Sequence, residues 1–144
     1  GDNADYSPIL KPYHGVRIFL NDGLNDFNES WFYSMHGASM ARAADFDQDG
    51  DLDIAAIAFF PDFKKQPDQS FVYLENSDGI FTPFYTKLAA TSRWITMETA
   101  DLDADQDLDI LLASLNFSPG VPDSLAREWK DHPVSLLQLR NNVK

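Results

Sequence analysis

Two aspartate ladders in this chain are placed to do chemistry. They are Asp45, Asp47, Asp49, Asp51 and Asp53, and Asp101, Asp103, Asp105, Asp107 and Asp109. Carboxylates packed this densely repel one another, since unit charges about 4 Å apart cost roughly 4 kcal/mol at a surface-like effective dielectric. A divalent cation relieves that cost. Alternation turns the side chains at loop positions 1, 3, 5 and 9 toward one centre while the position-7 carbonyl closes the shell, the hard-oxygen coordination that calcium takes. Acidic runs that merely faced water would be irregularly spaced, whereas here one spacing occurs twice and each ladder runs into an isoleucine, Ile54 or Ile110. The ladders predict two calcium sites.

The flanking residues say what must hold the ladders. An EF-hand loop opens in the same way but needs a bidentate Glu at position 12 and a helix on either side. Position 12 is Ala56 in one loop and Leu112 in the other. The segments that follow, 54–60 and 110–115, are short apolar runs of the kind that form buried strands, so the loops are expected in strand-loop-strand hairpins. The ladders align at an offset of 56 residues, and the match extends to Ala44 with Ala100 and Leu52 with Leu108. A second element recurs. Segments 16–21, 71–76 and 136–141 are apolar runs ending in Asn21, Asn76 and Asn141, at spacings of 55 and 65. Asp22-Gly23 and Asp78-Gly79 follow the first two, each leading into an aromatic-rich strand, which reads as strand, tight turn, strand. One period of roughly 50 residues then holds four antiparallel strands, as in a β-propeller blade.

The motif from Ala43-Ala44-Asp45 through Asp53-Ile54-Ala55-Ala56 resembles the FG-GAP, or VCBS, calcium-binding propeller repeats of integrin α-subunit heads and many exported bacterial proteins. The resemblance runs from His14 to Asn142. It implies that Asp45, Asp47, Asp49 and Asp53 supply side chains and Asp51 a backbone carbonyl, with Asp101, Asp103, Asp105, Asp109 and Asp107 doing the same in the second loop. The second loop departs from the pattern at Gln106, where the family has Gly. A left-handed backbone is strained there for any other residue, so the second site is expected to be the weaker or more distorted one. The implied fold is all-β. Residues 1–13 form an extension, 14–36 the last two strands of one blade, 37–88 a full blade and 89–144 three strands of a further one. A closed propeller needs at least about four blades, so about two blade periods make a partial or open one. The chain is then a piece of a longer propeller, an assembly with copies of itself or an open array; its start at Gly1 rather than Met points to the first. Unclosed blades leave strand edges through which copies can associate.

Composition bounds the rest. A content of 44% hydrophobic and 13% aromatic residues is enough to bury a core, and the chain reads as one folded unit. A net charge of −12 argues against nucleic acid and against anionic membrane surfaces. No stretch approaches the roughly 20 apolar residues of a membrane span. Without Cys there is neither disulfide nor thiol chemistry. Weak calcium sites fill where calcium is millimolar, so the expected location is extracellular or exported.

In a four-stranded meander both acidic loops and the Asp-Gly turns share one end. Loops 61–69, 87–93 and 117–133 take the other and carry Lys64, Lys65, Arg93, Arg127, Trp129 and Lys130. Long irregular loops are the natural place for recognition, and this mixture suits a glycan or a protein ligand; the alternative is that these loops only cover the sheet ends. Residues 123–130 read as a short helix capped by Asp123 or Ser124. The three His lack zinc-site spacing, and no nucleophile elbow, phosphate loop or dinucleotide fingerprint occurs. Two functions follow. One is a calcium-binding, non-catalytic propeller module for glycan or protein binding or adhesion. The other is part of a carbohydrate-active enzyme of the lyase or dehydratase type, an inference from fold analogy.

Overall fold

A computed structural model describes residues 9–115, 117 and 119–143. The start of the expected extension, residues 1–8, and residues 116, 118 and 144 of the last unit lie outside the described residues. Strands β1 (Gly15–Asn21) and β2 (Phe27–Ser34) form a hairpin; β3 (Ala38–Ala44), β4 (Asp53–Ala58), β5 (Phe71–Ser77) and β6 (Ile80–Phe84) form a four-stranded sheet; β7 (Trp94–Ala100), β8 (Asp109–Ser114) and β9 (Leu136–Leu139) form a three-stranded one. All pairings are antiparallel between consecutive strands. None of the sheets closes on itself.

Strand β4 explains how the sheets stack. Every residue of Asp-Ile-Ala-Ala-Ile-Ala is buried, which a half-exposed strand would not allow. Ala55 and Ile57 face a cluster with Phe71 of their own sheet and Trp94, Met97, Ile110 and Leu112 of the following one. Ile54, Ala56 and Ala58 face the opposite cluster, with Val72, Leu74 and, from the first hairpin, Val16, Ile18, Trp31 and Tyr33. The pleat sends alternate side chains to opposite faces, and a sheet lies on each. Alanines at three of the inner positions let the backbones approach.

The internal repeat is visible in the pairing itself. Ala44 pairs with Asp53 to close the first acidic hairpin and Ala100 with Asp109 to close the second. Each hairpin also shifts register at its far end, between Ala38 and Met40 and between Trp94 and Thr96. These positions again stand 56 apart. The turns differ more. Asp78 and Gly79 form a two-residue turn with both φ positive, the type that matches strand twist, whereas Asp22 to Asp26 is a wider loop in which Asp22 Oδ1 accepts from Leu24 and Asp26 N–H.

At the end away from the acidic loops, 3-10 turns at Pro67–Ser70 and Lys87–Thr91 pack together, and Ser70 Oγ donates to the Ala89 carbonyl at 2.6 Å. Helix α1 (Asp123–Asp131) lies beside them. Its N-cap position is Pro122, without a side-chain cap, so neither Asp123 nor Ser124 plays that part. Pro122 has no N–H and a φ of −58° that leads into helical geometry, which places Asp123 in the first turn, where its charge meets the positive helix end. Among the described residues no helix is long and apolar enough to cross a membrane.

Candidate metal centre

Each ladder folds its first three aspartates inward. Asp45, Asp47 and Asp49 offer carboxylate oxygens that all lie within 4.8 Å of one another, and Asp101, Asp103 and Asp105 do the same. Backbone amides shape the loops around the first carboxylate: Gly50 N–H donates to Asp45 Oδ2 at 3.2 Å, and Gln106 N–H to Asp101 Oδ2 at 3.1 Å. Two residues per loop are left-handed at matching positions, Gln48 and Gly50 with φ of 61° and 101°, Ala104 and Gln106 with φ of 64° and 77°. Gln106 takes the left-handed conformation that Gly50 takes in the first loop.

The ninth position has a different character. Asp53 and Asp109 are fully buried and belong to neither triad. Asp53 accepts from Phe46 N–H (3.1 Å), the Tyr73 hydroxyl (2.6 Å) and Asn76 N–H (2.8 Å). Asp109 accepts from Leu102 N–H (3.2 Å), Gln138 Nε2 (3.2 Å) and Asn141 N–H (2.9 Å). Each carboxylate ties the second loop residue to the third strand of its sheet. About four acceptor positions exist on a carboxylate, so one remains for a further partner. Position 7 reaches outward instead, Asp51 Oδ2 accepting from Asp78 N–H and Asp107 Oδ2 from Val143 N–H, each at 3.2 Å.

Charge accumulates in this arrangement. Asp47, Asp51 and Asp107 sit above the ordinary carboxylate pKa, first through desolvation and then through their aspartate neighbours. Asp103 is raised too, by desolvation and its hydrogen bond with Asp105, although the paired Arg140 guanidinium pulls it down. Asp45 Oδ1, Asp51 Oδ1 and Asp107 Oδ1 are buried with no hydrogen-bond partner.

The two loops also touch. Gln48 Nε2 donates to the Gln106 carbonyl at 3.1 Å, and Asn141 Nδ2 to the Phe46 carbonyl at 2.5 Å. Between them lies a groove of about 270 Å³ with Phe46, Tyr73, Leu108 and Leu139 on its apolar side and Asp47, Glu75 and Arg140 among its polar groups. Tyr73, Asn76, Gln138, Asn141 and Arg140 were not singled out as site residues from the sequence. The only signal was the Asn that ends each apolar run.

The opposite end divides the six expected ligand-face residues. Lys64, Lys65, Arg127 and Lys130 are exposed. Arg93 and Trp129 are buried, contrary to a surface role. Trp129 packs edge-on against Phe63 and donates its indole N–H to the Ala90 carbonyl at 2.8 Å. Compared with protein-family models, curated proteins and solved structures, the chain has no match.

Proposed function

We propose that this chain is a calcium-stabilised, non-catalytic repeat module built from FG-GAP/VCBS-type propeller blades and working outside the cell, where calcium is millimolar. The reading rests on one observation above all: two aspartate triads converge at the same loop positions of two hairpins 56 residues apart. The buried, unpartnered Asp45 Oδ1 adds to it, because a buried carboxylate oxygen needs a donor or a cation. Hard oxygens in such number suit calcium rather than a soft-ligand metal. Asp45, Asp47 and Asp49 would hold one ion and Asp101, Asp103 and Asp105 the other, with Asp53 and Asp109 each keeping an acceptor position free. Calcium supplies positive charge that offsets the carboxylate repulsion and fixes each hairpin.

Blade architecture is supported by consecutive antiparallel meanders stacked face to face. In this reading the exposed Lys64, Lys65, Arg127 and Lys130 meet a glycan or protein ligand, and copies of the chain associate through the outer edges of β1 and β9. Calorimetric titration of chelator-stripped protein with calcium, with a melting curve at each end point, tests the core of it. Two bound ions and a large rise in melting temperature are expected. Absence of binding at millimolar calcium would overturn the reading.

A further inference from the structure

Arg93 is a fully buried cation without a counter-ion. Its guanidinium carbon lies 5.0, 4.9, 5.1 and 5.1 Å from the ring centres of Phe59, Phe60, Phe63 and Phe117. One nitrogen, Nη2, donates to the Pro119 carbonyl at 2.6 Å, while Nε and Nη1 are buried with no acceptor. None of the ion pairs among the described residues includes it. The nearby Asp62 spends its Oδ1 on the amides of Lys64 and Lys65.

The cage is built on purpose-shaped backbone. Gly37, with φ of +67°, accepts at its carbonyl from Phe59 N–H at 2.9 Å, and any Cβ there would collide with the Phe60 backbone. Leu115 N–H donates to the Arg93 carbonyl at 2.9 Å, and the Phe117 ring lies against the side chain. Ring faces answer the charge. They do not answer the N–H groups in the guanidinium plane, which need oxygen lone pairs. A buried charge left short of acceptors is costly, and burial alone lowers the Arg93 pKa to about 10, still protonated at neutral pH.

We propose that Arg93 and its four phenylalanines form a carboxylate-binding site at the end of the molecule opposite the acidic loops. A carboxylate is planar and carries two oxygens in the spacing that a guanidinium fork meets in its own plane, and Nε and Nη1 are the groups left to meet it. Phe117, 38% exposed and the most exposed of the four rings, is the side chain whose rotation admits it. Exposed Lys64 and Lys65 on the adjoining loop attract anions toward the entrance. The proposal is independent of the calcium reading.

Its test is nuclear magnetic resonance of the Arg93 Nε–Hε group, assigned through bonds in the intact, calcium-supplemented chain. Sodium acetate is titrated against sodium chloride at equal ionic strength, with inorganic phosphate, a hexuronate monosaccharide and an N-acetylated aspartate amide as further arms. A saturable shift with acetate that chloride does not produce is expected. It should be at least tenfold tighter in Phe117→Ala, and the uronate and aspartate arms then tell a sugar acid from an acidic side chain. A signal unmoved up to about 100 mM acetate, far beyond a millimolar dissociation constant, overturns the proposal. So does a response to phosphate alone.

Discussion

Within each ladder the aspartates divide the work, and the division is testable one residue at a time. Asp53 is held by three donors and no solvent, so its carboxylate supports the fold with or without metal. Asp53→Ala should cost on the order of 3 kcal/mol, because buried donors are left unpaired, and the loss should appear equally in urea melts with chelator. Asp49→Ala, at an exposed triad position, loses an exposed bond from Asp51 N–H but relieves some carboxylate crowding, so the chelated protein should change by less than about 0.5 kcal/mol while the calcium-dependent increment of the first loop is removed. Equal behaviour of the two variants would refute the division. Gln106→Gly isolates a different effect. The left-handed φ of 77° favours Gly, and the cross-loop bond from Gln48 uses the main-chain carbonyl, which the variant keeps. A gain of about 1 kcal/mol in chelator is expected. The strain at Gln106 was legible from sequence because the repeats that the loops resemble carry Gly at that position, as the first loop does at Gly50. The role of Asp53 was not, since two of its three donors arrive from strand β5, 20 and 23 residues away.

At the scale of strands, the same apolar residue has different worth on different sheets. Ile57 on β4 is fully buried between two sheets, while Ile95 on β7 is 46% exposed. Ile57→Ala should cost about 2–5 kcal/mol, the transfer term plus the cavity it leaves. Ile95→Ala should change stability by less than about 0.5 kcal/mol, and denaturant midpoints with unchanged slopes would check both. A comparable loss from both would mean that a further layer covers β7. Strand β4 was readable because its apolar run lacks the alternation of a half-exposed strand. Arg93 was not readable. A basic residue in a loop looks like surface, and the four rings that bury it come from positions 59, 60, 63 and 117, with no period to connect them. The helix at Asp123–Asp131 was legible with its start at Asp123, but its cap was not, because the N-cap position falls on Pro122, whose side chain offers no acceptor to the first-turn amides.

For the molecule as a whole, the crowded carboxylates set how stability responds to pH. Asp47, Asp51, Asp103 and Asp107 are all raised above 3.8 in the folded chain. The folded, metal-free state therefore holds more protons than the unfolded one across the window that opens near pH 3.8, and stability falls as pH rises through it. In chelator the melting temperature should decline through that window toward neutrality. Calcium held in the loops as proposed would compete with those protons, so its contribution should grow over the same window and reach about 2.7 kcal/mol at one hundred times the dissociation constant. The two curves should diverge as pH rises. Carboxylates elsewhere also titrate, and the comparison that isolates the loops is the double variant Asp47→Asn, Asp103→Asn, in which two raised groups are gone. Its chelated curve should be flatter than that of the parent and its calcium increment smaller. If the parent instead gained stability with rising pH and the variant lost that gain, the loop carboxylates would be paired rather than crowded, and no cation would be needed to hold the hairpins.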